Sequence, residues 1–116
     1  MSTDAQPRFE NVEALLDEFE AEEYDDQREL ERYPLVRPVR VLLEEKIVHG
    51  LFSRDISIGG MGTIGLSEFA PGQVGYLAVH SLQQQDDIVL EAEAQWCRPY
   101  GYGYFATGWK FLNDVK

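Results

Sequence analysis

A two-residue alternation of apolar and polar side chains, which begins at Arg37, constrains the fold of this chain more than any other feature. Such alternation is typical of strands with one buried and one exposed face. Clusters of Gly, Pro, Asp and Gln divide it into six short runs: RPVRVLLEE, KIVHGLFSRDIS, GTIGL, QVGYLAVHS, DIVLEAEAQWCR and YGYFATGWKFL. Because no helical pattern separates these runs, we predict a mainly β fold, an antiparallel barrel or sandwich.

An amphipathic helix is predicted before the strand runs. Within RFENVEALLDEFEAEEYDD, the apolar residues recur at helical spacing: Phe9, Val12, Leu15, Leu16 and Phe19. Asn11 or Asp4 is expected to cap its N-terminus. The apolar stripe either packs on its own domain or forms an interface with another protein or a second copy. We therefore divide the chain into an acidic N-terminal extension with this helix (residues 1–26) and a β domain (residues 27–116).

The charge of the chain is unevenly distributed. The net charge is −11, and residues 1–31 alone hold 12 acidic and 2 basic side chains. No extended basic surface is present, so we do not expect binding to a nucleic acid polymer. The longest apolar stretches are too short for a membrane span, the N-terminus lacks the pattern of a signal peptide, and Cys97 is the single cysteine. These features predict a cytoplasmic protein without membrane insertion.

Residues 28–54 have a local excess of positive charge, because they contain six cationic and four anionic side chains. This excess favours a small anionic ligand. Arg28 and Arg32 are four residues apart, which makes them neighbours if the segment is helical. The stretch RDISIGG (residues 54–60) ends a predicted strand in two glycines, where positive φ and close approach to the backbone are possible. We interpret it as a pocket wall or as a tight turn.

Two motifs in this order resemble the signatures of the PilZ domain, a bacterial receptor for cyclic di-GMP. The signatures are Arg-x-x-x-Arg and (Asp or Asn)-x-Ser-x-x-Gly, matched here by RELER (residues 28–32) and DISIGG (residues 55–60). GWKF (residues 108–111) is similar to the Gly-x-x-Phe that closes the barrel in that family. The resemblance implies a six-stranded antiparallel split barrel over about residues 27–113, here preceded by the amphipathic helix.

The resemblance also implies a ligand site. Its residues are Arg28, Arg32, Asp55, Ser57 and Gly60, with Gln27, Arg37 and Gly59 as further candidates. Arginine forks suit guanine O6/N7 edges and phosphate oxygens, a carboxylate can accept from a guanine N–H, and a hydroxyl can bond to a base or a phosphate. Some family members carry arginine at the position of Gln27 and take up a stacked ligand pair. We therefore expect one ligand per chain.

The implied function is that of a non-enzymatic receptor or effector in second messenger signalling, such as the control of motility or biofilm formation. Its N-terminal arm would change conformation on ligand binding and signal to a protein partner. The alternative is an adaptor that binds no nucleotide and acts through protein contacts in motility or pilus assembly. We identify no catalytic set, cofactor or metal site. Both a monomer and a homodimer are compatible with the sequence.

Two further sets of residues have alternative interpretations. Arg37 and Arg40 either reach a phosphate or face outward from the first strand of the barrel. The tyrosines of YGYGYF (Tyr100, Tyr102 and Tyr104) either offer a stacking face or pack against neighbouring strands or the N-terminal helix.

Overall fold

The computed structural model describes residues 10–20, 33–84 and 86–115. It contains one α-helix in this part of the chain, α1 (Glu10–Glu20). The strands are β1 (Tyr33–Pro34), β2 (Pro38–Leu42), β3 (Ile47–Ile56), β4 (Gly60–Gly65), β5 (Val74–His80), β6 (Asp87–Gly101) and β7 (Tyr104–Val115). The six predicted runs correspond to β2 through β7.

Strands β2 to β7 form a closed antiparallel barrel. The order around the barrel is β3, β2, β5, β6, β7 and β4, and β4 pairs again with β3. Closure leaves the barrel without the long free edges that an open sheet would have. The structure therefore confirms the predicted mainly β, six-stranded antiparallel barrel with an N-terminal helix.

The short strand β1 has no counterpart in the predicted runs. Tyr33 pairs with Ile56 and Pro34 pairs with Asp55. β1 and β2 therefore pair with successive parts of β3. Between the two strands, the Ser53 hydroxyl accepts the N–H of Arg37 (2.8 Å) and donates to the carbonyl of Leu35. The Ser53 side chain thus supplements the backbone bonds of this interval, in which the N–H of Leu35 donates to the carbonyl of Arg54 (3.2 Å) and that of Ser53 donates to the carbonyl of Arg37 (2.8 Å). β1 brings the chain that follows Arg32 to the end of β3.

The core lies inside the barrel and is formed by alternate residues of the strands. The pattern is clearest in β6, where Ile88, Leu90, Ala92 and Ala94 are buried and the residues between them are partly exposed. Trp109 packs edge-on against Phe69, with 5.0 Å between ring centroids, and its indole N–H donates to Thr63 (3.0 Å). The buried indole N–H of Trp109 therefore has a hydrogen-bond partner.

Helix α1 packs against β6 and β7 and contributes to the same core. Val12, Leu15 and Leu16 are at most 1% exposed, which confirms that the apolar stripe packs on its own domain. The helix already begins at Glu10, so Asn11 is not its cap; the side-chain amide of Asn11 instead donates to the carbonyl of Val89 (2.8 Å).

A carboxylate from the other end of the chain takes the capping role. The backbone N–H of Asn11 lies 3.3 Å from one carboxylate oxygen of Asp114 and 3.4 Å from the other. An anion at this position satisfies a first-turn donor and complements the helix dipole. Asp4 and Phe9 lie outside the described residues. The division of the chain at residue 26 stays a prediction.

Candidate ligand-binding site

The DISIGG stretch forms the hairpin between β3 and β4. The backbone N–H of Ser57 donates to the carbonyl of Gly60 (2.8 Å), and the Ser57 hydroxyl accepts the N–H of Gly59 (3.3 Å). A serine that bonds its own local backbone in this way is a common turn initiator. The turn is fastened to β7 because the N–H of Phe111 donates to the carbonyl of Gly59 (2.9 Å). The stretch is therefore a tight turn.

Asp55 lies at a β-bulge just before this turn. Its Oδ1 accepts the N–H of Gly62 (3.1 Å), and its Oδ2 lies 3.8 Å from Nε of Arg54. The register of the β3–β4 ladder shifts between Ser53 and Asp55, and the carboxylate bonds the backbone of β4 next to this shift. The side chain is 21% exposed. Asp55 thus has a structural role in addition to the predicted role in ligand binding.

The two glycines of the turn were expected to allow positive φ or close approach to the backbone, and the structure shows the close approach. Positive φ occurs among the described residues at Gly50, Gly72, Gly101, Tyr102 and Gly103, and not at Gly59 or Gly60. A Cβ at Gly60 would overlap the backbone carbonyl of Trp109. Gly60 is therefore required for the close pairing of β4 with β7.

A groove of about 360 Å³ opens beside the turn on the outer face of the barrel. Its lining residues are Ser57, Gly59, Gly60, Gln95, Trp96, Gly108, Trp109 and Lys110. The sequence motif thus forms a pocket wall as well as a turn. Asp55 is not one of the lining residues. It pairs with Gly62, and Gly62 in turn pairs with Gly108 of the groove.

The opposite wall of the groove comes from β6 and β7, which the sequence did not assign to the site. The indole of Trp96 lies directly against Gly108, where a Cβ would overlap the ring, and the guanidinium of Arg98 lies 4.8 Å from the ring centroid. Lys110 is exposed and adds a cation to the groove. The available sequence signal was the outward position of Trp96 on its strand, which alternation alone does not distinguish from ordinary surface.

The first motif lies outside the described residues. Gln27, Arg28 and Arg32 belong to residues 21–32, of which the structure gives no account. Their predicted roles stay predictions. The described chain resumes at Tyr33, which pairs with Ile56 immediately before Ser57.

Arg37 and Arg40 have different environments. Arg37 is only 7% exposed, and its guanidinium donates to the carbonyl of Val36 (2.9 Å), so the expectation of an outward-facing residue was wrong for Arg37. Its contact with a phosphate stays a prediction. Arg40 does lie on the surface, where its guanidinium pairs with the carboxylate of Asp87. Arg40 faces a different groove, between β2, β3 and β5, and is not part of the site beside Ser57.

Within residues 10–20, 33–84 and 86–115, no cluster of three or more His, Cys, Asp or Glu side chains could hold a metal ion. The same part of the chain has no helix that is both long enough and apolar enough to span a membrane.

Comparison with known proteins identifies the family. A model of the PilZ domain matches residues 26–115. The structure of an inhibitor of motility from Bacillus subtilis (MotI/DgrA) superimposes with a TM-score of 0.59 at 20% identity, covering 78% of this chain and 44% of that protein. This chain therefore spans less than half of that protein, and the likeness concerns the fold. No curated protein matches significantly. Because the family model covers most of the chain, including both motifs, this chain belongs to the PilZ domain family.

Proposed function

We propose that this chain is a non-enzymatic receptor for cyclic di-GMP that binds one ligand in the groove beside Ser57 and signals to a protein partner. The supporting observation is the pairing of Tyr33 and Pro34 with Ile56 and Asp55. Arg32 directly precedes Tyr33 in the sequence. The geometry of β1 therefore supports an approach of the first motif to the second.

The chemistry of the groove supports this ligand class. Cyclic di-GMP carries two phosphodiesters and two guanine edges, so it requires cations and hydrogen-bonding groups close together. Lys110 supplies a cation, the hydroxyl of Ser57 and the amide of Gln95 supply polar atoms, and Arg28 and Arg32 are the proposed guanine and phosphate ligands. The indole of Trp96 gives the groove a flat apolar wall. A groove of this size lies within the range of ligand sites, about 300–1,000 Å³.

The conformational response is proposed for the segment between α1 and β1. Helix α1 is anchored in the core by Val12, Leu15 and Leu16, and β1 is anchored on β3. Residues 21–32 join these two elements, so contacts of Arg28 and Arg32 with a ligand would restrict the C-terminal half of this segment. Ordering a segment on binding costs about 2–5 kcal/mol of the gross interaction energy.

Hydrogen exchange tests this response. With ligand, backbone protection is expected to increase most over residues 21–36 and less in α1, which is already buried in the core. Unchanged protection across residues 9–36 at saturating cyclic di-GMP would contradict the proposed response without affecting ligand binding itself.

Calorimetric titration with cyclic di-GMP tests the binding. Arg32→Ala should weaken binding by about 1–3 kcal/mol if the arginine makes a bidentate contact with guanine, which is about ten- to a hundredfold. Arg40→Ala is the matched control, because Arg40 is a surface arginine of the same domain that lies outside the groove. Equal losses in both variants, or no heat with the wild-type chain, would contradict the proposal. The second result would favour an adaptor that binds no nucleotide.

A further inference from the structure

The hairpin between β6 and β7 exposes three tyrosines. Tyr102 at its tip is fully exposed, at 101%, while Tyr100 is 57% and Tyr104 is 43% exposed. The interpretation that these rings pack against neighbouring elements is therefore wrong for Tyr102, whereas Tyr100 and Tyr104 are partly covered. Exposed tyrosines are common in protein interfaces because they offer a large, rigid apolar area and a polar hydroxyl.

The backbone of the turn does not explain the tyrosine at its tip. Gly101 pairs with Tyr104, which leaves Tyr102 and Gly103 as a two-residue turn. Both have positive φ, 55° and 83°. This is the pattern of a type I′ turn, in which Asn is favoured at the first position and a bulky residue is strained. A strained residue without contacts from its own domain suggests that the side chain has another role.

The tyrosines are part of a larger apolar surface. Leu66 is 67% exposed and directly follows Gly65, which pairs with Phe105, so Leu66 lies beside Tyr104. Contiguous exposed apolar residues on a small domain often mark an interaction site.

The charge of this surface is opposite to that of the whole chain. Residues 94–113 contain no acidic side chain although the net charge of the chain is −11. The guanidinium of Arg54 lies 5.9 Å from the ring centroid of Tyr100, and that of Arg98 lies 4.8 Å from the ring centroid of Trp96. Both cations are thus held on aromatic rings of β6, and Nε of Arg54 also lies 3.8 Å from the carboxylate of Asp55. Arg and Tyr are the residue types that contribute most to binding energy at protein interfaces.

We propose that this surface, defined by Leu66, Tyr100, Tyr102, Tyr104, Arg54 and Arg98, docks an acidic segment of a protein partner. Carboxylates of the partner would pair with the two arginines, and its apolar side chains would pack on the tyrosines and Leu66. A protein is favoured over an anionic membrane because recognition of anionic lipid takes clusters of about 4–8 basic residues, whereas this surface holds two arginines beside tyrosines, the pairing that is common at protein interfaces. A second copy is disfavoured because symmetric pairing of this surface would oppose like charges.

The inference depends on the proposed function only for the existence of a protein partner. Arg54 precedes Asp55, so the docking surface begins next to the second motif. Binding of a peptide to the hairpin and binding of cyclic di-GMP to the groove are separate measurements. A negative result in one measurement therefore does not affect the conclusion from the other.

Selection from a random-peptide display library against the full chain tests the docking surface. Enriched peptides should be acidic and should contain apolar residues. The triple variant Tyr100→Ser, Tyr102→Asn, Tyr104→Ser should weaken their binding about tenfold or more. Tyr76→Ser is the matched control, since Tyr76 is an exposed tyrosine on β5, outside this surface, and should leave binding unchanged.

Four results would overturn the proposal. The first is enrichment of peptides that bind the triple variant as tightly as the wild-type chain. The second is enrichment of neutral or basic peptides. The third is a dimer in analytical ultracentrifugation that the triple variant abolishes, which would assign the surface to a second copy. The fourth is binding to phosphatidylserine vesicles that the triple variant abolishes, which would assign it to a membrane. Far-UV circular dichroism of the triple variant checks that the barrel is intact.

Discussion

The Gly60→Ala variant distinguishes two roles of Gly60. One is the close packing of β4 on β7, and the other is the approach of a ligand to the backbone of the turn. A Cβ at this position would overlap the carbonyl oxygen of Trp109, which is backbone and cannot rotate away. Gly60 also pairs with Lys110 and accepts the N–H of Ser57. The start of β4 would therefore have to move away from β7. Displacements of this kind in a packed region cost about 1–3 kcal/mol.

Urea denaturation followed by circular dichroism measures this cost. We expect a lower midpoint with an unchanged slope, and a melting temperature lower by roughly 5–15 °C. Gly108→Ala is the comparison, because its Cβ would meet the indole of Trp96, a side chain on the outer face that can move. Its loss of stability should be smaller. If Gly60→Ala unfolded at the wild-type midpoint but lost affinity for cyclic di-GMP, the packing argument would be refuted.

Four further changes test other parts of the structure. Leu16→Ala should lower the free energy of unfolding by about 2–5 kcal/mol, because Leu16 is fully buried; an unchanged midpoint would mean that α1 does not pack in the core. Asp114→Ala should cost about 0.5–2 kcal/mol, since the first-turn N–H of Asn11 loses its acceptor, and faster hydrogen exchange at the start of α1 checks it. Asp55→Ala should cost about 1 kcal/mol of stability through the lost hydrogen bond to β4, and Asp55→Asn, which keeps an acceptor, should restore most of it. Tyr102→Asn should raise stability by about 1 kcal/mol by relieving a positive φ, and a lower melting temperature would contradict the assigned strain.

The barrel could be predicted from the sequence because its signal is local. Alternate residues of a strand face the core, so Ile88, Leu90 and Ala92 reveal the strand without knowledge of its neighbours. The helix was predictable for the same reason, through the spacing of Val12 and Leu16. Short strand β1 was missed because Pro34 argues against a strand and because its pairing partners, Ile56 and Asp55, are distant in the sequence.

The site was only partly predictable because half of it is formed by pairing across strands. The turn at Ser57 was evident from its own residues. The wall formed by Trp96 exists because β6 and β7 place that residue opposite Gly108, and register between distant strands cannot be inferred from one sequence. The backbone of Arg37 is likewise bonded to Ser53 of β3, a partner that one sequence does not reveal. Of the two uses that glycine allows in the DISIGG turn, the structure shows close packing at Gly60, which depends on the neighbouring strand β7.

The most direct test of ligand binding in the groove uses the two indole N–H signals in an NMR titration with cyclic di-GMP. Both tryptophans line the groove, but the ring of Trp109 packs against Phe69 in the core, where its N–H is bonded to Thr63. We predict a saturable shift of the Trp96 indole and of the backbone amides of Ser57 and Gly59, with little change at Trp109. Shifts confined to the groove beside Arg40, or none at all, would contradict the account.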